Sequence, residues 1–90
     1  MGNDEFTNLV KTKVAQYVNK NFSNNLRKGK LLGKDDIYLP WVTKVLGNNK
    51  ATASTYLDDG VYFEATYNGN KQELYLDVYK KQKNICIDWS

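Results

Sequence analysis

The sequence predicts an α+β domain in which one amino-terminal helix packs on a five-stranded antiparallel meander sheet. Three observations carry this. Apolar residues recur three and four apart only near the start of the chain. After Asp36 the apolar spacing changes to every second residue. The runs of that second pattern are strand-length and separated by turn residues. Ninety residues suits a single domain with one modest core, so residues 1–90 are read as one unit: a helix over about 4–21, a basic loop over 22–35 and a sheet over 36–89.

The helix is expected to start at Asn3 or Asp4, either of which can cap it, with Glu5 in the first turn at the positive end of the macrodipole. Phe6, Val10, Val14, Tyr17 and Val18 then fall on one face, with Leu9 nearby, and Asn8, Thr12, Ala15 and Asn19 fall on the other. Lys13 and Lys20 border one edge of the apolar stripe and Lys11 the other, where their stems can lie along the core while the ammonium groups reach water. The segment "NKNFSNN" is poor in helix formers and ends the helix. The loop that follows, "SNNLRKGKLLGKDD", contains two glycines and is too short to link separate domains.

Five runs follow, at 37–46, 50–57, 61–67, 72–80 and 84–89, each rich in β-branched or aromatic residues. Short connections make neighbours antiparallel. Asn68-Gly69 is read as a two-residue type I′ turn, which sets Phe63 opposite Leu74 and Val61 opposite Leu76. A three-residue loop at 58–60, ending in a left-handed Gly60, opposes Leu57 to Val61, Thr55 to Phe63 and Ala53 to Ala65. Pro40 lacks a ladder donor, so 37–46 is an edge strand or carries a bulge, and the last run is expected at the opposite edge.

These registers place Ala53, Leu57, Val61, Phe63, Ala65, Leu74, Leu76 and Val78 on the core face beneath the helix. The outer face receives Thr52, Ser54, Tyr56, Tyr62, Glu64, Glu73, Tyr75, Asp77 and Tyr79. Tyr56, Tyr62 and Tyr75 then form a cross-strand row, and Glu64 faces Glu73. The row is read either as an aromatic surface for a protein partner or for bases, or as cross-strand pairs that stabilise a solvated sheet. The facing carboxylates repel, so they suit a basic partner or splay into water, and a flat sheet offers them little of the cleft that acid–base catalysis requires.

Charge is unevenly distributed. Lys11, Lys13, Lys20, Arg27, Lys28, Lys30 and Lys34 follow one another with no acid among them, whereas the chain from Asp35 onward carries eight acids against six bases. That basic set is a candidate surface for nucleic acid or another anion, read beside the alternative of a solvated loop. "LRKGKLLGK" is not a Walker loop, since its glycine and lysine spacing differs and no Ser or Thr follows in register.

There is no histidine, and Cys86 is the only cysteine. The histidine triads, nearly all zinc sites and an internal disulfide are therefore excluded, and Cys86 is read as a small apolar strand residue. No catalytic constellation, metal site or cofactor motif is found, so a non-enzymatic protein is expected. Lysines interrupt every apolar stretch near the amino terminus, which predicts a soluble, cytoplasmic protein without a membrane partner. A homodimer through an edge strand or the tyrosine face is compatible with this reading.

The tryptophan and lysine of "WVTKVLGNNKA", the hairpin "DGVYFEATYNG" and the segment "ELYLDVYKKQKNI" resemble a family of small proteins encoded by phages and prophages of Gram-positive bacteria. The resemblance covers residues 36–87 and implies expression inside an infected or lysogenic bacterial host. It transfers no functional residues. With the composition, it leads to the expectation of an accessory protein that binds a host or phage protein through Tyr56, Tyr62, Glu64, Glu73, Tyr75, Asp77 and Tyr79, for example by inhibiting a host defence or metabolic enzyme. Nucleic-acid or nucleotide binding by the basic third is the alternative.

Overall fold

Apolar side chains spaced along one stripe drive the first element against the sheet. The structure, a computed structural model, describes residues 1–27, 29–57 and 59–81. Helix α1 spans Asn3–Asn21 and buries Phe6, Val10, Val14, Ala15 and Val18. Gly2, not Asn3 or Asp4, stands at the N-cap, so Asp4 and Glu5 lie within the first turn, where their charge meets free N–H groups. Ala15 and Asn19, expected on the solvent side, face the protein instead. Ala15 is buried, and Asn19 holds the returning loop by two bonds: its Nδ2 donates to the Leu32 carbonyl at 2.9 Å and its Oδ1 accepts from the Leu32 N–H at 2.8 Å. The basic loop is thus tied to the helix and sends Leu32 into the core.

Four antiparallel strands follow in a meander, β1 (Ile37–Val45), β2 (Asn48–Thr55), β3 (Val61–Asn68) and β4 (Glu73–Lys80), in the spatial order β1-β2-β3-β4. The fifth run, 84–89, lies outside the described residues, within which the sheet has four strands. Pro40 sits on an edge strand and beside a bulge, since the pairs Tyr38–Ser54 and Trp41–Thr52 enclose Leu39 and Pro40 on one side but only Ala53 on the other. The extra residue keeps Tyr38 and Trp41 on one face although they are three apart in sequence.

The type I′ turn is at Leu46-Gly47, where both φ angles are positive, 50° and 81°. It is not at Asn68-Gly69. Asn68 instead pairs with Glu73 and closes a four-residue loop, its Oδ1 accepting from the N–H groups of Asn70 at 3.0 Å and Lys71 at 3.2 Å. Phe63 therefore opposes Val78 rather than Leu74, and Ala65 opposes Leu76. Between β2 and β3 the observed pairs are Ala53–Phe63 and Ala51–Ala65, so Thr55 does not face Phe63. Gly60 is left-handed as expected, with φ 71°, but the connection is longer. Thr55 Oγ1 accepts from the Leu57 N–H and Asp59 Oδ1 from the Val61 N–H, so side chains hold a turn in place of further ladder pairs. Both displacements are even, so each strand keeps the expected faces.

The core joins Phe6, Val10, Val14 and Val18 of the helix to Ile37, Ala51, Ala53, Phe63 and Ala65 of the sheet. Alanines on β2 and β3 let the helix approach, and Tyr17 meets Phe63 edge-on at 5.9 Å between ring centres. The helix lies mainly over β1, β2 and β3. At the uncovered margin Val78, expected in the core, is exposed, while Leu74 and Leu76 are half-buried beside the helix.

Candidate functional site

Alternation along the strands gives the outer face a regular composition. One cross-strand row runs Trp41, Thr52, Glu64, Asp77, and the next runs Thr43, Lys50, Thr66, Tyr75. On the other side of the first row lie the pairs Tyr38–Ser54 and Tyr62–Tyr79. Tyr38, Trp41, Tyr62, Tyr75 and Tyr79 are all exposed, each by more than 40% of its surface. Tyr62 and Tyr79 stack, with ring centres 5.2 Å apart and planes inclined by 18°.

The structure corrects three expectations about this face. Tyr62 partners Tyr79 rather than Tyr75, and Glu64 faces Asp77 rather than Glu73, because the loop starts one residue later and is two residues longer than the expected type I′ turn, which moves the register by four. Tyr56 is not part of the row. It lies beyond the end of β2 and is half-buried against the core, with Arg27 Cζ 4.9 Å and Lys30 Nζ 5.9 Å from its ring centre. The basic loop thus covers this tyrosine by cation–π contact. Sequence reading also missed Tyr38 and Trp41 as outer residues, since their parity depends on the bulge; Pro40 was the available signal.

Carboxylates set the field around two of these rings, and Lys50 lies on the same face in the row of Tyr75. The charge of Glu64, then that of Asp77, raises the Tyr79 phenol above its ordinary value. Tyr75 is raised first by the hydrogen bond its hydroxyl donates to the Glu73 carboxylate two residues away, then by the charge of that carboxylate. Both phenols hold their protons more firmly than free tyrosine. Aromatic faces beside opposed carboxylates have the chemistry to attract a cation, arginine above all, since it can stack and donate at once.

Among the described residues the basic set is divided between separate parts of the fold. Lys13 and Lys20 rim a groove of about 600 Å³ between α1 and β4, together with Gln16, Tyr17, Asn21, Leu74 and Leu76. Arg27 and Lys30 are turned toward Tyr56, Lys34 opens the 3-10 turn Lys34–Asp36, and Lys11 is half-buried on the helix. Lys28 lies outside the described residues. Among the described residues no group of three or more His, Cys, Asp or Glu is placed to hold a metal ion, and no helix is long and apolar enough to cross a membrane.

No curated protein matches the chain, and no solved structure does. Residues 7–89 match a family described as of unknown function, DUF6275, and because this match takes in nearly the whole length, the chain belongs to that family.

Proposed function

We propose that this protein is a non-enzymatic binding module whose outer sheet face receives a basic segment of a protein partner. The observation that carries the reading is the concentration of exposed Tyr38, Trp41, Tyr62, Tyr75 and Tyr79 around the facing carboxylates Glu64 and Asp77. Aromatic residues contribute contact area at small entropic cost. Like charges set opposite each other on adjacent strands cost stability, and a cation laid between them would relieve that cost. The resemblance to small phage-encoded proteins supports a host or phage protein as the partner, with inhibition of a host enzyme one form of the interaction.

The test captures partners from a Gram-positive lysate and then measures affinity for each purified partner with the native chain, with Tyr62→Ala/Tyr79→Ala and with Glu64→Gln/Asp77→Asn. Each double variant is expected to weaken binding at least tenfold, and the carboxamide variant also to flatten its salt dependence. Retention of every partner at native affinity by both variants sinks the reading. Salt-sensitive binding of labelled oligonucleotides, lost when Arg27 and Lys30 are replaced, would shift the function to the basic loop.

A further inference from the structure

We infer that the groove between α1 and β4 binds a fatty carboxylate, an unbranched acyl chain carrying one anionic head. Lys13, Gln16 and Lys20 stand at positions i, i+3 and i+7 of the helix and so form one stripe along the rim. The helical rise places the two lysine backbones about 10.5 Å apart, a span that two extended stems can close onto a single head group. Leu74 and Leu76, two apart on β4, share the face opposite and supply an aliphatic wall. No carboxylate lines the groove among the described residues; its polar lining is the two ammonium groups, the amides of Gln16 and Asn21, and the Tyr17 phenol.

The shape narrows the ligand class further. A volume of about 600 Å³ is that of a small-molecule site rather than a protein interface. Among the described residues the one ring on its lining, Tyr17, is already engaged by Phe63 and Phe22, each 5.9 Å away between centres. With that ring occupied and leucines elsewhere, the groove suits a flexible aliphatic chain better than a nucleobase, which needs a free aromatic face. Positive rim and apolar wall together select an anionic amphiphile and disfavour a cationic one. This surface is separate from the outer sheet face, so the inference stands apart from the binding proposed there.

The full chain would be titrated with octanoate, decanoate and dodecanoate below their micelle concentrations, with decyltrimethylammonium and decanol as controls, by calorimetry and amide chemical shifts. Saturable one-to-one uptake of the carboxylates is expected, tightening about fourfold per added methylene until the groove is full. Shifts should concentrate on residues 13–21 and 74–76. Lys13→Gln/Lys20→Gln, both exposed positions, should weaken carboxylate binding about tenfold and leave decanol unchanged, while Tyr62→Ala/Tyr79→Ala changes neither. Equal binding of the cationic and anionic chains, shifts centred on the outer face, or no saturable uptake would each overturn the assignment. A groove filled by a second copy would give a dimer and no uptake, and so overturns it as well.

Discussion

At Leu46 the backbone turns through a φ of 50° while the side chain is 97% exposed. A leucine there contributes no packing and bears the cost of the left-handed region, roughly 1 kcal/mol or more. Leu46→Asn is therefore expected to stabilise the domain by about 1 kcal/mol, which raises Tm by about 4–8 °C in a chain of this size; differential scanning calorimetry checks it. Tyr79 supplies a second prediction. Its phenol is raised in the folded chain by Glu64 first and Asp77 second, so on raising the pH the unfolded chain loses this proton earlier. The stabilising contribution is complete below the unfolded value of about 10 and is lost as the pH rises through the higher folded value. Glu64→Gln should bring the Tyr79 titration down toward the ordinary value, followed by ultraviolet absorbance, and should flatten the alkaline fall in stability.

Strands and turns differ in how much of them could be read from the residues alone. The alternation of Val61, Phe63 and Ala65 with Tyr62 and Glu64 fixes which side of β3 is buried, and the same logic holds for Leu74 and Leu76 on β4. Turn chemistry is more ambiguous. Asn68-Gly69 has the composition of a type I′ turn, yet the Asn68 side chain accepts two backbone N–H groups and stabilises a longer loop, while an unremarked Leu-Gly pair makes the tight turn. Outer residues were identified by parity, but their partners depended on loop length, so the Tyr62–Tyr79 stack and the Glu64–Asp77 pair emerged only from the fold. Gly69 also has a role that composition does not reveal: a Cβ there would stand 2.8 Å from the carbonyl oxygen of Gly47 in the neighbouring turn. Gly69→Ala is expected to cost about 1–3 kcal/mol by forcing the two turns apart, measured by urea denaturation with shifts localised to residues 46–48 and 68–72.

In the molecule as a whole one helix seals three strands, and Phe63 is the largest sheet residue beneath it, with no exposed surface. It joins Tyr17 of the helix to the alanines of β2 and β3. Removing it should cost about 3–5 kcal/mol, a large part of the stability of a small domain. Phe63→Ala is accordingly expected to lower the urea midpoint sharply, whereas Tyr62→Ala next to it should cost at most about 1 kcal/mol because that ring faces water. The contrast between these neighbours tests the two-sided character of the sheet. The α+β class, the amino-terminal helix and the Phe6, Val10, Val14 and Val18 stripe of its core face were legible because they follow from periodicity, whereas the inward sides of Ala15 and Asn19 were not. The separation of the basic residues was not, since it arises from the bonds between Asn19 and Leu32 and the contacts of Arg27 and Lys30 with Tyr56, all of which join distant parts of the chain.

The bulge at Leu39 and Pro40 acts on the first strand as a frameshift acts on a message. Loss of a single residue there would restore plain alternation: Tyr38 and Trp41, then two apart, would still share the outer face, and the turn at Leu46-Gly47 would keep Trp41 opposite Thr52. A point substitution at Pro40 leaves that phase intact. The outward side of the tryptophan is therefore set by the hairpin that follows it, and the bulge only brings Tyr38 round to join it.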